Sequence, residues 1–148
     1  MLDKIEADLK TALLAGDKSK VETLRGLKSA ILNEVIAKNA RETGLSDEQI
    51  QQVLGRESKK RQEAADLYKQ AGEQARADAE LSEKSVIDAY LPAQLPEEEV
   101  AKAVEAAISE LNASSVADMG KVIGAVRTKL GASADGAVIA RLAKAKLQ

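Results

Sequence analysis

The chain of 148 residues has no cysteine, histidine, phenylalanine or tryptophan, and only two tyrosines and two prolines. Without Cys and His there is no thiolate nucleophile, no disulfide, no zinc site of the usual donors and no imidazole base. Without large aromatics the core must be aliphatic, and stacking of bases on an aromatic platform is disfavoured. No apolar run approaches a membrane span, and the opening M-L-D-K-I-E-A-D-L-K has no signal-peptide core, so a cytoplasmic location is expected. Period-two alternation of β-branched residues, internal repeats, a phosphate-binding P-loop and convergent carboxylates are missing as well. No catalytic residue, metal site or cofactor is expected from this inventory.

What is present is charge, alanine and leucine in helical order. The net charge of −2 rules out a generally basic nucleic-acid binder, but its distribution is uneven. Residues 1–96 carry 15 Lys and Arg against 17 Asp and Glu; Glu97–Leu111 has five glutamates against Lys102; Asn112–Gln148 has six basic residues against Asp118 and Asp135. The C-terminal end is electropositive.

Leu2, Ile5, Leu9 and Leu13 recur at helical spacing until Ala15-Gly16-Asp17 interrupts them, and Asp17 can cap a second helix. That helix, ending near Asn39, carries the stripe Val21, Leu24, Leu27, Ile31, Leu32, Val35 and Ile36. Ser46-Asp47-Glu48-Gln49 is a capping box opening a third helix, with Ile50, Val53, Leu54, Leu67 and Tyr68 expected inward around a wholly polar block, Arg56–Glu63. After Gly72 a fourth helix is expected to Tyr90, with Ala75, Ala79, Val86, Ile87 and Tyr90 inward. Both prolines lie in Leu91-Pro92-Ala93-Gln94-Leu95-Pro96, which predicts a boundary between domains at 1–92 and 93–148. Beyond it come a fifth helix on Val100, Val104, Ala107, Ile108 and Leu111, a sixth over about Ser115–Leu130 and a seventh over Asp135–Leu147.

The sixth helix holds the unusual feature. Met119, Val122, Ile123, Val126 and Leu130 form its core stripe, while Gly120 and Gly124 lie about 100–140° round from Met119, between Arg127 and the pair Lys121 and Thr128. Each interior glycine costs about 1 kcal/mol relative to alanine, so something should offset it. One reading is close approach of a neighbouring helix; the other is close approach of a phosphate backbone, with Lys121 and Arg127 as donors. Gly131 is expected to end this helix in the left-handed conformation. The start of the next helix could receive a phosphate oxygen, but the Asp135 carboxylate would compete for the same N–H groups.

Elsewhere Arg56, Lys59 and Lys60 share a face of the third helix, with Arg61 beside them. Pairing with Glu57 and Glu63 would leave a solvated face, whereas an unpaired cluster could meet RNA or acidic protein, extended by Arg25 and Lys28 if the second and third helices are neighbours. Ser114, Ser115 and Lys121 lack the spacing of a serine–lysine hydrolase, and Ser115 ahead of Asp118 reads as a helix cap.

The run Met119–Val126, M-G-K-V-I-G-A-V, with Leu130–Ile139, L-G-A-S-A-D-G-A-V-I, resembles the tail of the B subunit of glutamyl-tRNA amidotransferase and of the YqeY-type proteins that share it. Leu24-Arg25, Lys28-Ser29-Ala30, Asn33-Glu34, Arg56–Arg61 and Tyr90-Leu91-Pro92 extend the resemblance to YqeY-type proteins over nearly the whole chain. The resemblance implies an all-α protein, an N-terminal four-helix part followed by a C-terminal three-helix bundle. It also implies a non-catalytic accessory role, within a family of carbon–nitrogen ligases using glutamine as amide donor, in holding tRNA, amidotransferase subunits or another tRNA-associated protein. The binding surface then falls on Gly120, Lys121, Gly124, Arg127, Lys129, Arg141 and Lys144, with Arg56, Lys59 and Lys60 as a second group. Ser133 departs from the family, which often has a basic residue before the A-D-G triplet. The alternative from a different class is a protein-interaction scaffold with no RNA role.

Overall fold

A computed structural model describes residues 1–148, and the protein is all-α: seven α-helices and no strand. They are α1 (Leu2–Ala15), α2 (Lys18–Ala37), α3 (Asp47–Gln70), α4 (Gln74–Asp88), α5 (Glu97–Glu110), α6 (Met119–Leu130) and α7 (Gly136–Leu147). The chain divides into two compact units, Met1–Leu91 and Pro92–Gln148.

Local chemistry sets the helix ends of the first unit. Gly16 takes the left-handed conformation (φ 70°, ψ 20°) that closes α1, and the next residue, Asp17, accepts from the Lys20 N–H at 3.1 Å to open α2. At α3 both halves of the capping box form: Gln49 N–H donates to Ser46 Oγ at 3.2 Å, and Ser46 N–H donates to Gln49 Oε1 at 2.9 Å. The core gathers Ile5 from α1, Leu24, Leu27 and Ile31 from α2, Ile50, Val53 and Leu54 from α3, and Ile87 from α4. Each such aliphatic side chain contributes about 1.5–3 kcal/mol by leaving water.

All α3 members of that core precede Gly55, and its one α4 member lies near the end of α4. The second half of α3 and the first half of α4 therefore pack chiefly on each other. Their contact is made with small residues, Ala65 and Ala77, both fully buried. This corrects the expectation for Leu67, which is 66% exposed, and for Ala75 and Ala79, also exposed: no third helix covers them. Leu32 and Ile36 are corrected likewise. They sit about 100° and 140° round α2 from Ile31, beyond the arc the core covers, and are 57% and 47% exposed.

In the second unit Val100, Ala103, Val104 and Ala107 of α5, Val122 and Val126 of α6, and Ile139, Ala143 and Leu147 of α7 make one core. Three glutamates in the first turn of α5 complement its dipole, with Pro96 as N-cap. A single 3-10 turn, Val116–Asp118, precedes α6, so that helix starts at Met119 rather than Ser115. Gly131 has positive φ (56°) but ψ of −135°, outside the left-handed helical well expected for it, because the chain turns at once into a second 3-10 turn, Gly131–Ser133. The preceding linker is fastened to that turn: Gln94 Nε2 donates to Ala132 O, and Leu95 N–H to Ser133 O, both at 2.8 Å.

Candidate nucleic-acid interface

On α6 the buried side chains Val122 and Val126 fix which face meets the core. Helical spacing then puts Gly124, Thr128 and Lys121 outward, with Gly120 and Arg127 on one edge and Lys129 on the other, about 160° from Arg127. Gly120 and Gly124 are exposed, and a Cβ built on either would meet nothing within 4 Å. Close approach by α5 or α7 is thus not what these glycines accommodate. Their backbone lies bare to solvent, with the Thr128 hydroxyl donating to Gly124 O at 2.9 Å.

Arg127 is laid against the start of α7, where a Cβ on Gly136 would sit 3.6 Å from the guanidinium carbon. That spacing is ordinary van der Waals contact. Lys144 lies about 12 Å beyond Gly136 along α7 and is exposed. Lys146 pairs with Glu105 of α5, and Lys144, about 160° from it around α7, has no such partner. Lys121, Arg127 and Lys144 are exposed on α6 and α7, and none has a carboxylate within ion-pair distance.

Two of the tail's cations are committed elsewhere. Arg141 pairs with Glu97 of α5 at 2.7 Å, and Lys146 with Glu105, whose carboxyl is lowered by that hydrogen bond and charge. Lys129 is exposed and unpaired on the far edge of α6. Asp135 Oδ1 accepts from Ala137 N–H at 2.8 Å and so occupies the α7 N-terminus, as its competition for those donors implied. Ser133, standing where a basic residue was expected, donates its hydroxyl to Leu130 O.

At the other end of α6, Asp118 reaches back to accept from Ser114 N–H at 3.0 Å. Its carboxyl is held below its ordinary range mainly by that bond, with the Lys121 charge a smaller cause. Ser115 makes no side-chain cap bond, so the expected Ser115 cap does not form.

The basic block of α3 has a structural explanation in large part. Arg56 pairs with Glu34 of α2 at 2.9 Å, Lys60 with Glu57 at 3.0 Å, and Arg61 with Glu83 and Glu80 of α4 at 3.2 and 3.5 Å. Lys59 alone is exposed and unpaired. Lys28 pairs with Glu6 of α1 at 3.2 Å, so it does not extend this group. The polar block interrupting the apolar stripe is an interhelical seam: buried Ser58 donates to Asp88 of α4, which also receives Lys84. Sequence reasoning missed Ser58, although Leu54, Ser58, Arg61 and Ala65 continue one helical face at four-, three- and four-residue steps.

Also missed was a small cavity of about 160 Å³ bordered by Lys4, Asp8, Lys20, Val86, Ala89 and Tyr90. There the Tyr90 hydroxyl donates to Asp8, and the Lys4 ammonium lies 5.6 Å from the ring centroid. Burial, then the Asp8 bond and charge, push the phenol well above its ordinary range. No sequence signal links positions 82 apart.

No helix is long and apolar enough to cross a membrane. None of the curated proteins matches the chain. The family model described as Yqey-like protein does match, over residues 2–147, and with essentially its whole length covered the chain belongs to the YqeY-like family.

Proposed function

We propose that this protein is a non-catalytic accessory module, related through its family to the glutamine-dependent tRNA amidotransferases, that binds tRNA through the α6–α7 face of a C-terminal tail domain. In this reading residues 1–92 form an N-terminal four-helix domain and residues 93–148 a three-helix tail domain, acting in the cytoplasm. The observation that carries it is the exposed pair Gly120 and Gly124, where a Cβ would meet nothing within 4 Å, together with Lys121, Arg127 and Lys144, which have no carboxylate within ion-pair distance. Exposed backbone bordered by free cations suits a phosphate chain, which gains from close approach and from charge-assisted hydrogen bonds.

Titration of labelled tRNA at two salt concentrations tests this reading. Phosphate binding makes affinity fall steeply with salt, and Lys121→Ala with Arg127→Ala should lower both the affinity and the slope, by about 0.9 per lost phosphate contact. Undetectable or salt-independent binding would refute it. A protein partner, such as an amidotransferase subunit, is the second reading. A pull-down that returns such a subunit without tRNA would select it.

A further inference from the structure

Resting on the tRNA reading, the α6–α7 face has a chemistry that narrows the part of an RNA it can hold. The second unit contains no aromatic side chain, since the two tyrosines of the chain are Tyr68 and Tyr90. Unpaired bases therefore find no ring to stack on, which is the usual source of affinity for single strands. Side-chain amides, which read base edges, are missing from the outward face of α6, where the exposed residues are Gly120, Lys121, Gly124, Ala125, Arg127 and Thr128. The nearby Gln94 amide donates to Ala132 O, and the Thr128 hydroxyl proton is spent on Gly124 O. What remains is positive charge at fixed positions on packed helices. Lys121 and Arg127 are about 9 Å apart along the α6 axis and about 120° apart around it, and Lys144 is exposed on α7.

We propose that the α6–α7 face grips a base-paired RNA stem by its sugar–phosphate backbone and without regard to sequence. A stem suits it in two ways. It holds phosphates in a rigid array that helix-mounted cations can match without ordering the RNA. It also presents a wide, shallow minor groove, against which the bare backbone of Gly120 and Gly124 can lie.

The test uses the full chain, an RNA duplex of about 16 base pairs, a second duplex of unrelated sequence and one separated strand, each labelled, at two salt concentrations. Both duplexes should bind alike, and about tenfold tighter than the single strand. If three phosphate contacts are made, raising salt about fourfold should weaken duplex binding about 40-fold through them, and the triple variant Lys121→Ala, Arg127→Ala, Lys144→Ala should lose that dependence. Equal or tighter binding of the single strand, or a strong preference between the duplexes, overturns this proposal and leaves the tRNA reading standing. Failure to bind any of these RNAs or tRNA overturns both. A folded triple variant that binds as well as the parent overturns the assignment of the face.

Discussion

Replacing Gly124 with alanine separates a contact surface from internal packing, because the two predict opposite signs. Gly124 lies inside α6 with ordinary helical backbone, and a Cβ there would meet no atom within 4 Å. Nothing is displaced, so the substitution should recover the helix propensity that glycine forgoes, about 1 kcal/mol. Gly120 is the second residue of α6, where the helix is less committed, and its replacement should give about half as much. For a cooperative unit of about 60–100 residues, 1 kcal/mol corresponds to about 4–8 °C in Tm. Gly124→Ala should therefore melt about that much higher, and in urea its midpoint should rise with an unchanged slope. Gly136→Ala is a useful comparison, since its new methyl meets the Arg127 guanidinium at 3.6 Å, an ordinary contact. If the Gly124 face also receives RNA, Gly124→Ala should bind duplex more weakly while folding more stably. Destabilisation of Gly124→Ala by about 1 kcal/mol or more would refute the reasoning, because it would mean that another surface occupies the space in solution.

Three other outcomes follow from the described geometry. The Tyr90 phenol, raised by burial and by Asp8, stays neutral in the fold at pH values where the unfolded chain ionises, so stability is full below about pH 10 and declines as pH rises past it; urea midpoints should show this decline in the parent and less of it in Tyr90→Phe, and equal declines would contradict the assignment. Arg61→Met should cost about 1–2 kcal/mol by leaving Glu80 and Glu83 facing each other without their cation, and hydrogen exchange should rise first in the early turns of α4; uniform protection would contradict it. Glu97→Gln frees Arg141 from its exposed partner and adds one positive charge to the second unit, so RNA affinity should rise at low salt and converge with the parent at high salt; a salt-independent change would point to altered packing instead.

The helices were legible in the sequence because caps and periodicity are local. Ser46 and Gln49, Asp17, Gly16 and the stripe Val122–Val126 each need only neighbours within one or two turns, and each does what its spacing implied. Burial was less legible, because periodicity reports which side chains share a face and says nothing of whether another helix arrives to cover it. Leu67, Ala75 and Ala79 show the difference: their helices form, but α3 and α4 outrun the core that Leu54 and Ile87 share. The seam at Ser58, Arg61 and Asp88 and the bond from Tyr90 to Asp8 depend on residues about 20 to 80 positions apart, where no propensity operates.

The candidate surface shows the same limit in electrostatic form. Six cations in the tail suggested a broadly basic end, yet Arg141 and Lys146 point to the glutamates of α5 and are largely neutralised there. A count of charge cannot tell a cation that faces its own protein from one that faces a ligand. What separates them is helical angle: Lys144 and Lys146 are two residues apart and about 160° apart in direction, and only the latter reaches a glutamate of α5. The glycines follow the same logic. A small residue beside a core stripe fits a packing contact and a ligand contact equally well until the position of the next helix is known. Here a Cβ on Gly120 or Gly124 would meet nothing within 4 Å, so the helix stability they forgo finds no return in the packing of the second unit, and the surface they leave bare is the place to look for one.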